Sequence, residues 1–382
     1  MSSNSVSKMA TITVLSLSLT TVMAAAAIAP ALGMIARHFS GHDTILISQI
    51  VSVHSIFIIF STFFFSYLAK FFNTKDLAML GLTLYVIGGV GAAFVDNIYV
   101  ILALRGVLGL GVGLIQPLST ALIAYLYDDK EKVKLLGYSS SVSSFMGLIA
   151  APLSAYLAAI SWNYSFYIYL LGLVIAIFVL LFLPRVMLRK KSNVEISKVE
   201  ITKQIHPFII GVFLSMLVFY SFPTNFSIVM AERMEPKYIG VLMGYQHLCV
   251  IIVGIVFSTI LQKLGKKAKF LFALFFALGF LSQYLATNFV HVFLGLTFVG
   301  LAQGFMMPFM MSSVGLKVSK PNMAVAMGMM STSLYLGQFL NPYIAKIIQT
   351  IFGLEPGVSA FGMSFAFSLI LFIWMFYVDK FR

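Results

Sequence analysis

Apolar residues fall along this chain in long blocks separated by short polar stretches. Alternation at every second position would mark strands, and a stripe at every third or fourth position would mark helices half in water. Here blocks of about twenty residues are apolar on every face, the length that spans ~30 Å of hydrocarbon as a helix rising 1.5 Å per residue. Only helices and closed barrels satisfy their backbone inside lipid, and these blocks are too long for barrel strands. The pattern predicts twelve transmembrane helices near residues 10–35, 45–68, 77–95, 98–125, 135–158, 163–184, 208–230, 239–261, 269–287, 291–314, 322–349 and 358–378, so an all-α integral membrane protein with both ends on one side. The first block follows Lys8 and holds small residues at Ala24 to Ala27, as a cleaved leader would, but it runs on through Ile28 to Ile35 beyond an ordinary leader core.

Composition agrees with the pattern. Of 382 residues, 60% are hydrophobic and 10% charged, against roughly half and a quarter in soluble domains. A formal charge of +13 would suggest nucleic acid in a soluble protein, but the basic residues sit in connectors, so no nucleic-acid partner is expected, only the bilayer. Of the 25 Lys and Arg residues, twenty lie on the side of the termini, four (Arg37, Arg233, Lys237 and Lys346) lie opposite, and Arg105 lies within a span. The positive-inside rule then makes both termini cytoplasmic in a plasma membrane. The polar stretch 185–207 divides the chain into a six-helix bundle over 1–184 and another over 208–382. The single cysteine, Cys249, excludes an intrachain disulfide and a cysteine-cluster metal site, and no motif calls for a metal or cofactor.

The two halves repeat. Asn97, Gly109, Gly113 and Pro117 return at a shift of 191 as Asn288, Gly300, Gly304 and Pro308. Gly147 with Ala151-Pro152 in the fifth block is echoed by Gly337 with Asn341-Pro342 in the eleventh, and the segment from Ser66 is echoed from Ser258. Matched spacing in one order is the mark of a duplicated transporter bundle.

At these residues the chain resembles the major facilitator superfamily over its whole length. That family carries a G-x-L-A-D-R-x-G-R-K-like loop after its second helix, with an echo after its eighth. Ser66 to Lys75 reads SYLAKFFNTK, with Lys70 at the acidic position and Asn73 for glycine; Ser258 to Lys267 reads STILQKLGKK, matching at Gly265, Lys266 and Lys267 but with Gln262 for the acid. Arg105, Gly109 and Gly113 resemble the fourth-helix R-x-x-x-G-x-G motif of the drug:proton antiporter branch, and Gly147-xxx-Ala151-Pro152 its fifth-helix motif. The resemblance implies two pseudo-symmetric six-helix bundles, alternating access, and proton-coupled efflux of a small lipophilic, neutral or anionic compound, of the multidrug-exporter type, by a monomer. It makes Ser66, Lys70, Lys75, Gly109, Gly113, Gly147, Pro152, Ser258, Gln262, Gly265, Lys266 and Lys267 candidates for the conformational machinery.

Chemistry within the spans is sparse. Arg105 is costly to bury unless it faces water or a partner, and it shares a helical face with Gly109, Gly113 and Gln116. It either projects into a central cavity or ties helices through their carbonyls. Its removal is expected to abolish or sharply reduce transport while leaving the protein folded. No Asp or Glu falls inside a predicted span, which disfavours the simplest carboxylate-based export of cations. His54 and His247 are candidate proton carriers, and Gln116, Asn225, Gln246, Gln303, Gln338 and Asn341 candidate substrate contacts; the alternative for each is a hydrogen bond between helices. Import or uniport of a small metabolite is the alternative direction. A membrane enzyme would need a constellation such as H-E-x-x-H or a Ser-containing G-x-S-x-G, and neither occurs. A transport-dead sensor would bind without flux.

Overall fold

The computed structural model describes residues 7–127, 129–188, 198–315, 317–318 and 322–378. The first half contains α1 (Lys8–His38, broken twice), α2 (Thr44–Leu68), α3 (Thr74–Phe94), α4 (Ile98–Leu126), α5 (Asp129–Ile160) and α6 (Trp162–Phe182). The second contains α7 (Lys198–Phe219 continued by Ser221–Ala231), α8 (Pro236–Leu264), α9 (Leu271–Tyr284), α10 (Phe289–Gly315), α11 (Met323–Phe352) and α12 (Val358–Val378). Among the described residues ten segments are long and apolar enough to cross a membrane; the other two positions are filled by α9, short beyond its 3-10 lead Gly265–Phe270, and by α11, which carries Gln338, Asn341, Lys346 and Gln349.

Helix ends follow local chemistry. Asn97 accepts from the N–H groups of Tyr99 and Val100 at 2.9 and 3.3 Å to start α4, and its repeat partner Asn288 accepts from His291 at 3.1 Å beside the start of α10. Asp43 starts α2 and Asn73 starts α3 in the same way. Gly265 ends α8 at φ +51° and Gly353 ends α11 at φ +61°, conformations that a side chain would strain. Pro117 frees the carbonyl of Gly113 inside α4, and Thr62 Oγ1 of α2 donates to it at 3.3 Å. Three features depart from the sequence pattern: α7 begins at Lys198, within the stretch 185–207, α6 opens as a 3-10 helix over Trp162–Leu170, and α1 is interrupted after Leu17 and after Ala26.

The repeat is visible as matched packing. A Cβ on Gly88 of α3 would overlap Leu108 N and Leu104 O of α4, and one on Gly279 of α9 would meet Val299 N and Gly295 O of α10, every position shifted by 191. Gly109 faces His54 O and Phe57 while Gly300 faces Gln246 O and Cys249; Gly113 faces Ile58 and Ser61 while Gly304 faces Val250 and Val253. Close helix approach in lipid relies on such small residues. Between the halves, α5 packs on α8 and α2 on α11. Large apolar side chains such as Phe60, Phe63, Tyr67, Leu181, Ile255 and Ile373 cover the outside, as lipid requires.

Candidate functional site

Arg105 is fully buried within the first half. Its Nε donates to Ile50 O of α2 at 2.7 Å, Nη1 to the Tyr169 hydroxyl of α6 at 2.6 Å, and Nη2 to Ala24 O of α1. Tyr169 in turn donates to Ala24 O at 3.1 Å, and its ring lies 5.4 Å from the guanidinium carbon. These carbonyls are available because the helices bend. Ala27 N bonds Met23 O and Ile28 N bonds Ala25 O, which bypasses Ala24 O where α1 turns into the Pro30 segment; Ile50 O lies one turn before the interruption of α2 at Val53. Arg105 thus caps two helix breaks, and its bonds run to the main chain and a phenol. His54, also buried, lies on the α2 face that meets Gly109, and its Nδ1 has no hydrogen-bond partner among the described residues.

Where α2 and α4 cross α7 and α11, the groups are neutral. Tyr335 of α11 donates to Gln116 Oε1 of α4 at 2.6 Å, Ser55 of α2 donates to Gln338 Oε1 of α11 at 2.8 Å, and Tyr220 of α7 donates to Val51 O at 3.2 Å. Gln49 reaches Phe339 O at 3.5 Å while accepting from Ser52 at 3.0 Å. Farther from the termini, Ser227 of α7 accepts from Gly33 N at 3.0 Å and donates to Pro30 O at 2.6 Å, and Arg37 donates to Ala231 O. Lys346 pairs with Asp43 at 3.0 Å on this distal face. The Ile45 N–H, and after it Lys346, hold the Asp43 carboxyl below the usual carboxylate range.

The remaining candidates separate into three places. Asn341 is buried in the second half, donating to Leu217 O at 2.6 Å and Ser221 Oγ at 2.9 Å and accepting from Thr224, beside Asn225, which donates to Ser221 O and Thr224 Oγ1. Gln246 donates to Gln303 Oε1 at 2.5 Å between α8 and α10. His247 of α8 fills the notch left by Gly147 of α5, and the neighbouring Pro152 lies against Gly240 and Gly244 of α8. Gln116 and Gln338 are therefore the candidates brought to the crossing, whereas Asn225, Asn341, Gln246 and Gln303 are not. Tyr169, Gln49, Ser55, Tyr335 and Ser227 were not read from the sequence as site residues; the usable signal was a hydroxyl or amide stranded in an apolar block.

The loop motifs are peripheral. Ser66 and Lys70 are exposed at the end of α2, while Lys75 Nζ donates to Leu180 O at 2.6 Å and Thr74 Oγ1 to Pro184 O at 2.7 Å, docking the α2–α3 turn on α6 of the same half. Ser258, Gln262, Gly265 and Lys267 are exposed, and the side chain of Lys266 lies outside the described residues.

A family model described as Major Facilitator Superfamily matches residues 14–281 and again residues 208–382. The chain is 24% identical over 332 residues to the uncharacterized transporter BU466 of Buchnera aphidicola, covering 82% of this chain and 83% of that protein. Among solved structures it is similar to the nucleoside transporter NupG, with a TM-score of 0.76 at 15% identity over 96% of this chain and 99% of that one. It is also similar to the xylose transporter XylE from E. coli in a partially occluded inward-open conformation, with a TM-score of 0.72 at 17% identity over 97% and 98%. Likeness at these identities is likeness of fold.

Proposed function

We propose the function of this chain from one premise: it belongs to the Major Facilitator Superfamily and is a secondary transporter. Its substrate is a small, neutral, partly lipophilic compound that forms hydrogen bonds, and it is exported in exchange for protons. The observation that carries this is the chemistry at the crossing of the halves, where Gln116, Tyr335, Ser55, Gln338 and Gln49 offer amides and hydroxyls but no charge. Arg105 is buried within the first half and directs three of its five N–H groups to Ala24 O, Ile50 O and Tyr169, so it faces helices of its own half and not the crossing. Export is supported by the resemblance of the fourth- and fifth-helix motifs to the antiporter branch. Proton coupling rests on His54 and His247, since among the described residues acids lie only at helix ends and in connectors.

With the termini in the cytoplasm of a plasma-membrane protein, the bonds of Gly33, Ser227, Arg37, Asp43 and Lys346 close the outer face. Proteoliposomes with an imposed pH gradient test this, using chloramphenicol and uridine as neutral probes, benzoate as anion and tetraphenylphosphonium as cation. The expected result is gradient-dependent flux of at least one neutral probe and neither ion. Flux of the cation or anion alone, or flux indifferent to the gradient, overturns it.

A further inference from the structure

On the distal face, away from the termini, a cavity of about 270 Å³ opens between the two halves. Thr44 and Ser48 of α2 form one wall, and α7, the end of α11 and the turn into α12 form the rest. Drug-sized pockets start at roughly 300 Å³, so this one suits a smaller molecule. Its lining has both signs of charge and an apolar side: Glu232, Arg233 and Lys346 stand with Asn225, Ile228 and Pro342. Asn225 uses its amide N–H groups on Ser221 O and Thr224 Oγ1, which leaves Oδ1 as the polar atom it offers to the cavity. Arg233 is oriented by one bond to Ala286 O at 2.8 Å, and Lys346 by Asp43.

We propose that this cavity is a second ligand site, for a small zwitterion with an apolar side chain, and that its occupant clamps the distal seal. The carboxylate of such a ligand meets Arg233 and Lys346, its ammonium meets Glu232 and Asn225 Oδ1, and its side chain lies on Ile228 and Pro342. Because the walls come from both halves, the site is complete only while the seal is closed. A ligand that binds one of two states shifts the population toward it by its own binding free energy. Leucine supplied on the distal side therefore holds the transporter sealed, whatever the central site carries.

Leucine, leucinamide and 4-methylpentanoate are titrated calorimetrically into the full chain in nanodiscs, with Glu232→Gln and the cavity-filling Val229→Trp as variants. Leucine is expected to saturate one site, each analogue to bind at least tenfold more weakly, and each variant to lose at least tenfold in affinity for leucine. In a Cys249→Ser background, a cysteine in place of Ser52, which is buried one turn beyond the cavity-lining Ser48, reports opening through reaction with an impermeant thiol reagent from the distal side. At a hundred times its dissociation constant, leucine is expected to slow that reaction by about a hundredfold. No saturable leucine binding, equal binding of either analogue, unchanged affinity in either variant, or an unchanged labelling rate overturns the proposal.

Discussion

Arg105 joins four helices at one point, through Ala24 O of α1, Ile50 O of α2 and Tyr169 of α6. Removing the guanidinium leaves Ile50 O buried without its side-chain donor, at about 1–3 kcal/mol, while Ala24 O and Tyr169 keep the bond between them. Arg105→Ala is therefore expected to lower the unfolding temperature in detergent as well as flux, and Arg105→Lys to recover only part, because one ammonium cannot serve three diverging acceptors. An Arg105→Ala protein with unchanged unfolding temperature would mean that the helix breaks hold themselves. That Arg105 matters was legible from a lone charge in an apolar block. Where it points was not, because its acceptors are carbonyls freed by bends near Pro30 and Val53, and every residue type carries a carbonyl. His54 was legible in the same limited way, its neighbours across α4 being set by packing on Gly109.

Among the elements, duplication was the clearest thing in the sequence, since glycines that allow backbone contact are constrained in spacing as well as type. The contacts of Gly88 and Gly279 with the following helix are copies of each other. Gly88→Val and Gly279→Val should each force a helix pair apart, at about 1–3 kcal/mol, and to similar extents when thermal unfolding is compared. A large cost at one site and none at the other would show the two bundles to be packed differently. The 3-10 start of α6 and the interruptions of α1 were not legible, because an apolar block has the same hydrophobicity whether its carbonyls bond three or four residues ahead. The early start of α7 at Lys198 was missed for the opposite reason: polar residues there read as a connector, yet a helix emerging into water is free to be polar.

At the scale of the molecule, α1 and α7 meet near their own counterparts. Gly33 touches Ser227 and Arg37 touches Ala231, each pair 194 residues apart, so the pseudo-twofold axis passes between them. Asp43 and Lys346 close the distal face off that axis. Because the folded-state pKa of Asp43 is depressed, its stabilising contribution is present above the usual carboxylate range and is lost as pH falls through the lowered value. Both partners are more than a third exposed, so the pair is worth at most about 1 kcal/mol and its loss should raise distal opening no more than about fivefold. Asp43→Asn measured by distal labelling at Ser52→Cys should reproduce at neutral pH what acid does to the native chain; a larger change would assign Asp43 a further role. Arg105 also sets a boundary condition for everything that crosses. A permanent positive charge in the low-dielectric interior, with no acidic side chain paired to it among the described residues, raises the potential around it. At ~10 Å and an effective dielectric of about 20 it repels a univalent cation by about 1.7 kcal/mol, more than tenfold in partitioning. On the proposed function, sodium-like and quaternary solutes are disfavoured by their charge before any pocket tests their shape.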